Sequence, residues 1–222
     1  NRQMGASMAS LGSSKVETMA DMALKINPEL DLRVQKTPLT PETMDAFMAG
    51  VDVLVDGLDF FVPELRAQMF DYCHAHNIPF VTAGPMGLTT AWLVWRPKAM
   101  APADYFRFDR APSPEQKVLH FMLGLSPKLL QKKHIVDMSY VDFKAHRGPS
   151  MAAACMAASA VAATEALKLI LGRGKIHALP WANQFDMLNH KTCHSYNAFG
   201  MNAPLNRLKL KILAKKLGIS LG

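Results

Sequence analysis

The chain carries no glycine-rich phosphate loop, no paired-cysteine motif and no apolar run long enough to span a bilayer. Gly5, Gly12, Gly84 and Gly87 never assemble a GxGxxG at a strand-to-helix turn, so the fingerprint of a nicotinamide-dependent oxidoreductase is missing. No proton-relay pair stands out either, which makes that chemistry the weaker reading. Only three cysteines occur, Cys73, Cys155 and Cys193, without CxxC spacing. This excludes a disulfide framework and a four-thiolate zinc site, and points to a reducing cytoplasm. The longest apolar stretch, 151–163, is mostly Ala and then reaches Glu165 and Lys168, short of the ~20 residues a membrane span needs. We expect a small-residue helix packed inside a soluble domain and no transmembrane segment. Acids are absent from 205–222, where Arg207, Lys209, Lys211, Lys215 and Lys216 supply five of the seven excess positive charges. The rest of the chain is nearly balanced and has no basic stripe interleaved with aromatics, so nucleic-acid binding is not expected of it.

What is present suits one sizeable core: 222 residues, half of them hydrophobic. Residues 14–25 place Val16, Met19, Ala20, Ala23 and Leu24 at helical spacing, with Ser13 or Ser14 as N-cap and Glu17 as capping-box partner. Asn27-Pro28 ends that helix, and 32–34 reads as a short strand. Thr40-Pro41-Glu42 is a cap followed by Pro at the first helical position, opening a helix through about Met48 that Gly50 stops. Residues 51–55 read as a buried parallel-type strand, 63–76 as a helix with Leu65, Met69, Phe70 and Cys73 on one side, and 78–83 as the next strand.

A further strand is expected at 88–95. Periodicity then weakens over 97–148, where only 118–123 and 127–131 look helical. Residues 150–171 form the longest helix, stopped by Gly172 and Gly174; 179–197 hold one or two strands, and 205–217 a basic amphipathic helix. Strand–helix–strand alternation predicts an α/β fold with a mostly parallel sheet flanked by helices.

In such a sheet, ligands sit beyond the carboxyl ends of the strands. Asp56-Gly57-Leu58-Asp59 follows strand 51–55, so its carboxylates are placed to hold a metal, while Arg2 and Lys15 can neutralise phosphates. Each residue taken singly also fits a plainer role. Arg2 and Lys15 suit solvated surface positions, Asp59 suits a turn or helix cap, and Asp56 suits a strand end. Cys193, beside His190, Lys191 and His194, is the one candidate reactive thiol. The same cluster lacks a fourth ligand and standard spacing for a metal.

Asn1-Arg2-Gln3, Lys15-Val16-Glu17, Asp56 to Asp59, and Pro149-Ser150 with Glu165-Ala166-Leu167-Lys168, in that order, resemble the ThiF/MoeB/HesA family. Its members are bacterial relatives of ubiquitin-activating enzymes. The resemblance covers nearly the whole chain and implies a Rossmann-like sheet with a crossover segment at 97–148 and C-terminal strands. It implies an adenylation domain over 1–204 that lacks the family's N-terminal glycine-rich strand–helix unit, with 205–222 as a basic amphipathic tail or linker helix.

The implied activity is ATP-dependent adenylation of the C-terminal carboxylate of a ubiquitin-like or sulfur-carrier protein, or of a peptide. Arg2 and Gln3 then lie beside the nucleotide phosphates, Lys15 meets the phosphates at the reacting end, Asp59 ligates Mg²⁺, and Asn1 shapes the same loop. The family places the glycine-rich loop upstream of the Asn-Arg-Gln motif, so we expect either a longer natural protein or poor ATP binding by this chain alone. The crossover 97–148 has no Cys, which favours a pure adenylation chemistry over thioester transfer. Resemblance and fifteen Met together predict a homodimer. A degenerate, nucleotide-binding scaffold is the non-enzymatic alternative.

Overall fold

The computed structural model describes residues 2–134, 146 and 148–221. The chain divides into two compact units, Asn1–Gly50 and Val51–Gly222. In the first, helix α1 (Lys15–Ile26) is followed by an irregular stretch, a 3-10 turn at Pro41–Thr43 and helix α2 (Met44–Met48). The Thr40 N–H bonds the Thr43 hydroxyl at 2.9 Å, and Gly50 ends the unit at φ +72°, a value that favours glycine. Two readings change here. Residues 32–34 lie in the irregular stretch and form no strand. Glu17 is no capping partner for α1, because its carboxylate pairs with Lys36 at 2.5 Å.

The second unit is built on a five-stranded sheet in the order β1-β2-β3-β4-β5. Its strands are β1 (Leu54–Asp56), β2 (Phe80–Met86), β3 (Thr89–Trp95), β4 (Trp181–Asp186) and β5 (Lys191–Tyr196). Helix α3 (Pro63–His76) joins β1 to β2, and these two strands pair in parallel with Asp56 opposite Thr82. Pro63 starts α3, and Asn77 ends it in the left-handed conformation, which Asn tolerates.

The α/β class holds, but the strand directions are mixed: β2–β3, β3–β4 and β4–β5 are antiparallel. β2 runs past Ala83 to Met86, so only Gly87 and Leu88 separate it from β3. Two residues close a hairpin, whereas a parallel crossover needs about a dozen. Gly87 is required at this turn: φ is +62°, and an added Cβ would meet the His134 side chain at 3.1 Å.

Side chains alternate across the sheet. One face carries Phe80 and Trp95, with Phe80 stacked on Phe70 of α3 at 4.2 Å. The helices α4 (Pro102–Phe106) and α5 (Pro114–Leu125) add the buried Tyr105, Phe106, Leu119 and Leu123. The opposite face sets Val81 and Val94 against Ala162 and Ala166 of α6 (Ala152–Leu171). Helix α6 is the one described helix long and apolar enough to cross a membrane. Its inner side packs on β2 and β3, and Thr90 donates a hydrogen bond to the Ala154 carbonyl at 3.0 Å. One side of α6 therefore belongs to the core, and the rest of the helix is half-buried or exposed.

Helix α7 (Pro204–Leu217) buries Leu210 and Ala214 in a cluster with Leu119, Leu123 and Met201. Its inner side therefore belongs to the core of the second unit. The segment 97–148 holds more helix than its weak periodicity suggests: α4, α5, and 3-10 turns at Phe108–Arg110 and Leu130–His134. Residues 135–145 and 147 of this expected crossover lie outside the described residues.

Candidate functional site

The short strand β1 ends on Asp56, whose side chain is 1% exposed and pairs with Arg66. Asp56 Oδ2 accepts from Arg66 Nε and from the Thr82 hydroxyl, each at 2.8 Å. Its Oδ1 accepts the Leu58 N–H at 3.0 Å. With both oxygens committed and the group buried, Asp56 is not a metal ligand, contrary to one reading of the Asp pair. It is the anchor of the loop that follows.

Arg66 completes the anchor from the first turn of α3. Its Nη2 donates to the carbonyls of Leu58 and Asp59 at 2.9 and 3.0 Å. Its Nη1 reaches the Phe60 carbonyl at 3.5 Å, and its guanidinium lies 4.1 Å from the centre of the Phe121 ring. A planar fork can hold several carbonyls and a carboxylate at once, which a lysine ammonium cannot. The sequence reading missed Arg66; a lone arginine in a helix otherwise packed on the core was the available signal.

Asp59 stands at the crest of this loop and is exposed. Its Oδ1 accepts the Phe61 N–H at 2.9 Å, and its Oδ2 has no partner among the described residues. A carboxylate fixed in direction, open to solvent and beyond the carboxyl end of a parallel pair is suited to one or two bonds to a hard cation.

Arg2, Gln3 and Lys15 lie in the first unit and are exposed; Lys15 opens α1. Asn1 lies outside the described residues. By residue type, Arg2 and Lys15 are cations and Gln3 carries an amide donor, groups of the kind that bind phosphate oxygens. Asp59 belongs to the second unit.

The cysteines separate cleanly. Cys73 is fully buried on α3, and burial, with the Asp56 charge nearby, pushes its thiol up to about 12, so it is no nucleophile at neutral pH. Cys193 and His194 are successive residues of β5 and point to opposite faces. Cys193 sits across from Gln184. His194 Nδ1 donates to the Asn183 side-chain oxygen at 2.7 Å. Among the described residues no three His, Cys, Asp or Glu side chains group as metal ligands. His190 belongs to the turn before β5, at φ +49°.

A second polar cluster was invisible in sequence because its members lie 52 residues apart. His134 Nε2 meets Asp186 Oδ1 at 3.0 Å, with both side chains 3% exposed. Its Nδ1 accepts the Leu88 N–H at 3.2 Å, which places the ring proton on Nε2. Asn189 donates its backbone N–H and its side-chain amide to Asp186 at 3.1 and 2.8 Å. The group ties the β4–β5 turn to the β2–β3 turn.

Burial works to raise the Asp186 carboxyl, but the Asn189 hydrogen bonds and His134 outweigh it and leave it below the usual range. A depressed carboxylate contributes stability above its unfolded value of about 3.9, lost as pH falls through the lower folded value. Asp186→Asn is accordingly expected to melt below the parent at pH 7, with the gap closing below about pH 4. A gap of equal size at both pH values in thermal melts would contradict this.

Comparison with known proteins brings the arrangement into a family context. The sequence profile of the ThiF family matches residues 1–206. The chain is 34% identical over 88 residues to the tRNA threonylcarbamoyladenosine dehydratase of Escherichia coli strain K12, covering 39% of this chain and 32% of that protein. It is 28% identical to the enzyme of the same name from Haemophilus influenzae, again over 88 residues and 39% of this chain, and 33% of that protein. The matched segment thus spans about a third of the length of these relatives. Among solved structures, E. coli MccB with ATP superposes with a TM-score of 0.61 at 17% identity, over 89% of this chain and 51% of that one. PaaA gives 0.58 at 13% identity, over 88% and 59%. These likenesses show a shared fold.

Proposed function

The chain belongs to the ThiF family, and from that premise we propose that it takes part in ATP-dependent adenylation of a substrate carboxylate. In this reaction the carboxylate attacks the α-phosphorus and pyrophosphate leaves, so two anions must be brought together and their charge spread. Arg2 and Lys15 supply positive charge toward the phosphates and Gln3 an amide donor. Asp59 would hold Mg²⁺, which when bound would offset charge developing on the phosphate oxygens. The observation that carries the reading is the Asp59 carboxylate held outward at the end of a parallel β-pair by a buried arginine that grips its backbone. No protein nucleophile is required.

The favoured acceptor is the C-terminal carboxylate of a ubiquitin-like or sulfur-carrier protein or of a peptide, in a cytoplasmic homodimer. Fold likeness to MccB, solved in complex with N-formylated MccA, supports the peptide form. The exposed Met156, Leu167 and Ile170 of α6 give a second copy an apolar surface to cover. A second reading rests on the 34% identity to a tRNA threonylcarbamoyladenosine dehydratase: the carboxylate is then carried by a modified nucleoside of tRNA.

ATP–pyrophosphate exchange distinguishes the two when peptide, carrier protein and tRNA are supplied in turn. Exchange stimulated only by tRNA moves the assignment to the second reading. No exchange with any of them, while ATP and Mg²⁺ still raise the melting temperature, would leave the nucleotide-binding scaffold alternative.

Within the first reading, Cys193→Ser is expected to retain exchange and adenylate formation. A reductant-sensitive conjugate between protein and substrate that vanishes in this variant would instead establish a thiol step.

A further inference from the structure

Helix α7 has two apolar stripes on opposite sides. Leu210 and Ala214 face the core, whereas Leu205, Leu208 and Ile212 are 61%, 54% and 49% exposed. At about 100° per residue the outer three fall within an arc of roughly 60°, nearly opposite the buried pair. Lys215 borders this arc on one side, with Lys211 and Arg207 beyond it, and Lys216 borders the other. All four cations are exposed, and no acid occurs from 205 to 222. A solvated helix has no use for the leucines, and a nucleic-acid surface has none for an aliphatic centre.

We propose that the outer face of α7 docks on an anionic lipid surface. Leu205, Leu208 and Ile212 enter the headgroup–acyl boundary, and Lys211, Lys215 and Lys216 extend to the lipid phosphates along its two sides. The inner stripe keeps the helix seated on α5, so α7 lies on the membrane rather than crossing it. Charge complementarity selects the occupant: the face is cationic at both margins and apolar only along its middle, the order in which a bilayer presents phosphate above hydrocarbon.

The test is co-sedimentation of the whole chain with vesicles of phosphatidylcholine mixed with phosphatidylglycerol, against vesicles of phosphatidylcholine alone. Sedimentation with the anionic vesicles, weakened by salt, is expected. Leu208→Ser with Ile212→Ser should lower the partition about tenfold or more, since two buried aliphatic side chains are lost. Lys211→Gln with Lys215→Gln should reduce the preference for anionic lipid. Melting temperatures should stay at the parent value, because every substituted side chain is exposed.

Failure to sediment, equal binding to both vesicles, or serine variants that bind like the parent would each overturn the proposal. So would retention of tRNA through the same lysines by a protein that ignores vesicles.

Discussion

Asp59→Asn is expected to lower Mg²⁺-dependent pyrophosphate exchange by ~100-fold or more while leaving the melting temperature unchanged. The size follows from removing one preorganised charge at a site where charge develops in the transition state. The selectivity follows from geometry. Asp59 is exposed, and its Oδ1 takes a single backbone N–H, a bond that an asparagine side-chain oxygen also accepts. Loop and fold therefore persist while the anionic ligand is lost. Exchange at the parent rate in Asp59→Asn would remove this residue from the chemistry.

Arg66→Ala should have the opposite profile in its first effect, a loss of about 3–5 kcal/mol of stability, or a melting temperature lower by roughly 10 °C. Removing the guanidinium leaves Asp56 as a buried charge without its ion-pair partner and frees the carbonyls of Leu58 and Asp59. A paired replacement separates stability from positioning. Asp56→Leu with Arg66→Met removes both charges and should recover much of the melting temperature, since buried ion pairs are often replaceable by apolar side chains. Exchange should stay low, because nothing then holds the Asp59 backbone. Recovery of both together would mean that Arg66 serves stability alone.

The contrast between these residues shows what a sequence can disclose. Helices α3 and α6 and strands β1 to β3 were legible because apolar spacing and glycine or proline stops are local signals. The direction of β3 was not. It turns on whether β2 ends at Ala83 or at Met86, and the four residues 84–87 read naturally as a loop. Asp59 was singled out through the order of motifs along the chain. Arg66 was missed because its role depends on Asp56, ten residues earlier, and on Thr82, sixteen residues later. His134 and Asp186 were missed for the same reason at greater separation. Glu17 failed as a cap because a more distant cation, Lys36, competes for it.

The grip on Asp56 comes from three successive elements: its own strand, the hydroxyl on β2, and the guanidinium at the start of α3. None of them alone can orient the loop, so the direction of the Asp59 carboxylate is a property of the assembled strand–helix–strand unit. In hydrogen exchange, the Leu58 amide, whose acceptor is the buried Asp56 carboxylate, should open together with the strand amides of Leu54 and not with those of exposed turns. The surface loop would then share the protection of the sheet beneath it, and the candidate ligand would be in place whenever this part of the chain is folded.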